Sequence, residues 1–231
     1  MSARAAWRGC VLAGLLVIAC SIGFGHIPGL HSCGDARGLG PIIGFELAAT
    51  PAQVARLFGA EPCRSALIAA QRTGLWLDAL GFIPSYTAFL CFAAWASGRW
   101  RRFLVAAMLV AGLCDEIEGL ILAAILRRLP GTPALLDALW WETHVKFVLL
   151  AGSTAWLGLA GDWSLGRSWL SRVTGIAIGV AGLLALQSLF TTPSAMMQEL
   201  TLAWATLLLV ALLGAVWPRL LGPQVPAPPS A

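Results

Sequence analysis

Three carboxylates stand together in the middle of an apolar run, at Cys114-Asp115-Glu116-Ile117-Glu118-Gly119. Asp115 and Glu118 are three apart and share one face of a helix, while Glu116 points about 100° away from Asp115. A charge near a bilayer centre costs about 2.5–3.5 kcal/mol even on the mildest scale, so acids at such a position mark function before they mark packing. Paired carboxyl groups whose protonation states are driven apart can work as acid and base. Asp115 and Glu118 are therefore the candidate acid/base pair.

Their possible partners are few. Glu142-Thr143-His144-Val145-Lys146 offers a cation, Lys146, one turn after Glu142; it can pair there or reach one of the three acids. His144 projects from a different side of the same helix and is the one histidine near the acids. Asp78 precedes Pro84, Ser85 and Tyr86, and Asp78 and Ser85, seven apart, face the same way on a regular helix. Gln187, Gln198 and Glu199 complete the polar set. The candidate ligand-binding residues are thus Asp78, Tyr86, Asp115, Glu116, Glu118, His144, Lys146 and Glu199. Pro84 is expected to kink its helix.

The elements that must position these residues follow from composition. Of 231 residues, 58% are hydrophobic and 11% charged, against roughly 25% charged in a soluble domain. The apolar residues fall in runs about as long as a bilayer core is thick. Six spans are expected: Gly9 to Gly25, Leu75 to Ser97, Phe103 to Leu126, Thr143 to Ala160, Val173 to Phe190 and Glu199 to Trp217. Backbone polar groups must be satisfied inside hydrocarbon, and the runs lack the period-two alternation of a barrel, so the spans are helices. The fold class is all-α, a polytopic membrane helix bundle forming one domain over residues 1–222. Trp76, Trp95, Trp100, Trp140, Trp141, Trp163, Trp169 and Trp217 fall near the expected ends, where indole rings prefer the interface.

Arginines set the expected orientation. With the N-terminus inside, Arg4, Arg8, Arg99, Arg101, Arg102, Arg167, Arg172 and Arg219 are cytoplasmic, against Arg37, Arg56, Arg64, Arg72, Arg127 and Arg128 outside. Both termini are then cytoplasmic, in a cell membrane of the bacterial inner-membrane type. The net charge of +4 reports this topology and calls for no nucleic-acid partner. Val17-Ile18-Ala19-Cys20 resembles a bacterial lipoprotein cleavage box; processing there would place lipid on Cys20 and leave five spans. The Pro-rich tail, residues 223–231, reads as disordered.

The outer loop, residues 26–74, reads as a small helical element. Thr50-Pro51-Ala52-Gln53 combines a cap, Pro at the first helical position and Gln three residues after the cap, and Gly59 stops that helix. Pro62 starts another that runs through Ala66, Ala69 and Ala70 into the second span. Cys33 and Cys63 are the two cysteines outside the expected spans, and a disulfide between them would staple the loop over the bundle; two unpaired thiols are the alternative. In the fifth span Gly175, Gly179 and Gly182 permit close helix approach, expected inside the bundle, with a dimer contact as the alternative.

Depth ties these readings together. Asp78, His144, Lys146, Gln187, Gln198 and Glu199 belong to the outer half, and the three acids lie at or just above the middle. The sequence thus implies one polar cavity opening outward, or a single buried network. No phosphate loop, paired-His metal motif or zinc spacing occurs; no metal ligand is assigned and no cofactor is indicated, although a carboxylate-plus-His metal site remains chemically possible. Three functions fit. The first is binding or moving a small cation, proton or amphipathic ligand. The second is an enzyme using a buried carboxylic acid on a lipid or isoprenoid. The third is an assembly or scaffold role in which charges fix helix register. Membrane lipid is an expected partner of all three.

Overall fold

The computed structural model describes residues 1–98, 100–161 and 168–217. Among these residues every regular element is helical. They are α1 (Ala3–Gly25), α2 (Pro41–Glu46), α3 (Pro51–Phe58), α4 (Cys63–Leu77), a π-helical segment (Asp78–Phe82), α5 (Ile83–Ala96), α6 (Arg101–Arg127), α7 (Pro133–Ala160), α8 (Trp169–Thr191) and α9 (Pro193–Val216). Among the described residues, four helical stretches are long and apolar enough to cross a membrane: Ala3–Gly25, Cys63–Ala96, Trp169–Thr191 and Pro193–Val216. The other two long helices, α6 and α7, carry Asp115, Glu116, Glu118 and Lys146. Arg99, Trp163, Arg167, Arg219 and the tail 223–231 lie outside the described residues.

The long helices close into a ring. Going round it, α1 packs on α5, α5 on α6, α6 on α7, α7 on α8, α8 on α9, and α9 returns to α1. The close approaches in the ring are made by small residues. A Cβ on Gly158 of α7 would stand 2.6 Å from the Gly175 carbonyl oxygen of α8, and one on Gly182 would stand 2.6 Å from the Ala155 nitrogen. The α8 glycines therefore serve the α7–α8 contact, which their spacing anticipates. Trp7 of α1 is fully buried against Gly214 of α9. Cys20 lies within α1, and its Sγ faces Gly81.

Segment 26–62 forms a cap over one end of α6 and α7. Its apolar contribution, Phe45, Ala48, Val54, Leu57 and Phe58, packs with Leu67 of α4, Leu122, Ile125 and Leu126 of α6, and Leu136 and Leu139 of α7. The α3 start has the anticipated chemistry: Thr50 Oγ1 accepts from Gln53 N at 3.2 Å, and Gln53 Oε1 accepts from Ala49 N at 2.7 Å. Gly59 ends α3 at φ +55, a left-handed value that favours glycine. Cys33 and Cys63 form a disulfide that ties the strap before α2 to the first residue of α4.

Two boundaries differ from those the hydropathy implies. The expected loop end at Gly74 lies inside α4, because an Ala-rich segment with strong helix propensity carries the span's helix back to Cys63. α7 begins at Pro133, not Thr143. Thr132 Oγ1 caps it by accepting from Leu135 N at 3.3 Å, and Leu136 and Leu139 are buried under the cap. Polar residues such as Asp137 interrupt the apolar run in this stretch, and hydropathy registers the interruption although the helix does not.

Candidate functional site

Lys146 lies near the middle of α7, and its ammonium is at the centre of the polar interior. It donates to Asp115 Oδ1 at 2.9 Å, Glu118 Oε1 at 2.9 Å and Glu46 Oε2 at 3.1 Å. An ammonium has three N–H donors, and each finds one carboxylate. All four residues are buried, with 3% of Lys146, 6% of Asp115, 1% of Glu118 and 5% of Glu46 exposed. Asp115 and Glu118 share a face of α6 as their spacing requires; Glu46 arrives from the last turn of α2 in the cap.

Several contacts hold this arrangement. Tyr86 of α5 donates to Asp115 Oδ2 at 2.7 Å and stacks on Trp204 of α9. Trp204 Nε1 in turn donates to Thr154 Oγ1 of α7 at 3.2 Å. On the cap side, Thr143 Oγ1 donates to the Glu46 carbonyl oxygen at 3.3 Å, and Gln71 Nε2 donates to the Pro41 carbonyl oxygen at 2.8 Å. Residues from α2, α5, α6, α7 and α9 thus meet across the interior of the ring.

Three carboxyls around one ammonium leave negative charge in excess. Among the described residues Glu118 Oε2 is buried with no hydrogen-bond partner. Three carboxylates packed around one cation repel one another, and a proton held among them relieves that repulsion. Burial raises the Glu46 carboxyl above the usual carboxylate range, against the opposing pull of Lys146.

A narrow crevice reaches this cluster beside the cap. Glu46, Gln71, Gly74, Leu75, Asp78 and Leu122 are among its lining residues, and it has room for about one water molecule, about 10 Å³. Asp78 is the first residue of the π-helical segment. Pro84 lacks an N–H and its ring would press on the carbonyl one turn earlier; the wider turn before it, in which Ile83 N donates to the Asp78 carbonyl, accommodates both. One inserted residue shifts the register by about 100°, so Asp78 and Tyr86, eight apart, come to share the face that a regular helix gives to residues seven apart.

Not every candidate joins the cluster. Glu116 is half-buried on the outer flank of α6, next to the exposed Leu113 and Leu120. The His144 ring stacks on Trp140, with Nδ1 2.7 Å from the Trp140 carbonyl oxygen, and it faces Phe190 of α8 and not the acids. Glu199 in the first turns of α9 has Oε2 buried without a hydrogen-bond partner among the described residues. Glu142 faces Cys114 and leaves Lys146 to the acids. Among the described residues, no group of three or more His, Cys, Asp or Glu is arranged to hold a metal ion; the Lys146 ammonium occupies the place among the carboxylates that a cation would take.

Glu46 is absent from the candidates read from sequence. Its signal is an acid inside the apolar hexad Ile42-Ile43-Gly44-Phe45-Glu46-Leu47, in a loop otherwise marked as irregular by glycine and proline. The fold and the site define a helical membrane-type bundle with a buried carboxylate–lysine network. No family model, curated protein or solved structure matches the chain.

Proposed function

We propose that this chain is a six-span membrane protein whose carboxylate–lysine cluster binds and exchanges a proton, or a small cation in its place, with the aqueous phase on the cap side. The observation that carries the reading is the surplus of three buried carboxyl groups over the one Lys146 ammonium, with Glu118 Oε2 left without a partner among the described residues and Glu46 lining a crevice scaled to water. Counting α6 and α7 as spans is supported by the direction of their charges: Asp115, Glu118 and Lys146 turn inward, while Leu109, Leu113, Leu120, Val148 and Trp156 form the outward surface. In this reading the cap is extracytoplasmic, both termini are cytoplasmic in an inner-membrane setting, and lipid covers the outward face.

The test is infrared difference spectroscopy of the purified chain in lipid nanodiscs between acid and neutral pH, repeated with sodium, potassium and lithium. A protonated-carboxyl band that titrates, disappears in Glu46→Gln and responds to cation supports the reading. A spectrum with no titrating carboxyl band and no cation response overturns it.

A second reading has its own observation. All three Lys146 donors are satisfied, so the cluster can serve as a clamp that fixes the cap and the α6–α7 register. Under that reading Glu46→Gln and Glu118→Gln lower thermal stability and change no proton or cation binding.

A further inference from the structure

We propose that Asp78 is the proton-loading residue of the cluster, the group that takes protons from solvent and passes them along the crevice to Glu46. The inference rests on the proton-exchange reading above and deepens it by assigning the route. Asp78 is half-buried where Glu46 is closed in, and both line the same crevice. The space there accommodates about one water, enough for a single relay and too narrow for bulk solvent. The π-helical segment gives the placement a purpose in the fold, since the inserted residue turns Asp78 onto the interior face that Tyr86 occupies one register further on. π-bulges of this kind recur at functional positions.

The step balances without a further reactant. A hydronium ion or buffer acid protonates the Asp78 carboxylate. A crevice water accepts that proton as it delivers another to the Glu46 carboxylate, and Asp78 is left ionised for the next cycle. The charged and titratable groups around Asp78 are Glu46 from α2, Tyr86 from α5, Asp115 from α6, Lys146 from α7 and Cys20 from α1, with Glu116 adding its charge from the outer flank of α6. Gln71 adds a neutral amide to the crevice lining and is held by the Pro41 carbonyl.

The experiment follows the protonated Glu46 band of the full chain in nanodiscs by rapid-mixing infrared spectroscopy after a drop in pH. Wild type, Asp78→Asn and Asp78→Glu are compared, with and without added formate, a small diffusible acid. Asp78→Asn is expected to slow the rise of the band at least tenfold while its final amplitude stays, formate to restore the rate in proportion to its concentration, and Asp78→Glu to stay within a few-fold of wild type. An unchanged rate in Asp78→Asn overturns the assignment, as does a slowed rate that formate leaves untouched, which marks a structural role. If Asp78→Asn fails to fold, Asp78→Glu decides alone: the longer carboxyl must keep the rate, and a tenfold loss there overturns the route. Absence of the band in wild type removes the cluster reading itself, and the assignment with it.

Discussion

Lys146 Nζ and Glu46 Oε2 lie 3.1 Å apart although one hundred residues separate them in the chain. Through this pair the cap, held at its other side by the Cys33–Cys63 disulfide, is fastened to the interior of the helical ring. The seating of the cap and the charge state of the cluster are therefore not independent.

Removing Glu46 exposes that dependence. Glu46→Ala leaves one Lys146 donor without its acceptor in a buried site, a loss of about 1–3 kcal/mol. Glu46→Gln retains a carbonyl acceptor and is expected to cost less. Hydrogen exchange should show faster exchange in α2 and α3 of Glu46→Ala, with the centres of α8 and α9 unchanged.

The raised Glu46 carboxyl has a definite sign in the dependence of stability on pH. Because the folded value lies above the ordinary value of 4.5, the folded state holds a proton that the unfolded chain has released. This contribution is complete below about pH 4.5 and is lost as pH rises through the folded value. The melting temperature of wild type should fall over that interval relative to Glu46→Gln, which lacks the titrating group. Parallel profiles for the two proteins would remove Glu46 as the source.

Lys146→Met takes away the cation common to all three carboxylates. Breaking one side of a buried ion cluster costs about 3–5 kcal/mol. Melting curves of Lys146→Met and wild type in detergent measure the loss, and equal melting temperatures would contradict it.

Reduction of the Cys33–Cys63 disulfide should loosen the cap and leave the ring intact. A cross-link with a sequence separation of 30 restrains the open cap by about 3–4 kcal/mol in the chain-entropy account. Cys33→Ser/Cys63→Ser should therefore raise exchange and protease cleavage within residues 26–62. Equal cleavage of the oxidised and double-serine proteins would contradict this.

The α7–α8 contact has no room for a side chain at Gly158. A Cβ there would meet the Gly175 carbonyl oxygen at 2.6 Å and the Gly179 backbone. Gly158→Ala is expected to separate the helices and cost about 1–3 kcal/mol by overpacking. Gly152 has open space around its Cβ position, so Gly152→Ala is the matched control and should leave the melting temperature within about a degree or raise it slightly, by restricting the unfolded chain.

Much of this architecture is local and was legible for that reason. Apolar run length marks α1, α5, α8 and α9, since hydrocarbon demands a continuous run and backbone satisfaction demands a helix. Thr50, Pro51, Gln53 and Gly59 bound α3 through bonds between near neighbours. Asp115 and Glu118 share a face by helical spacing alone. Other features depend on what the helix meets after folding. The start of α7 at Pro133 is visible only once Leu136 and Leu139 have the cap above them. Asp78 aligns with Tyr86 and not with Ser85 because Pro84 forces an extra residue into the turn, which a regular spiral does not anticipate.

The membrane-type helical class and the grouping of acids in α6 were thus legible in the sequence, because the bilayer imposes length and polarity on each segment separately. Which acids act together was decided by tertiary structure. Glu116, next in sequence to Asp115, is turned to the outer flank, while Glu46, far away in an apolar loop, becomes the third ligand of Lys146. His144, two residues from Lys146, stacks on Trp140 instead. The physical reason is that a buried ammonium has three donors in fixed directions. It is satisfied by whichever carboxylates the packed helices and the docked cap bring within about 3 Å, and that proximity is a property of the closed ring, not of spacing along the chain.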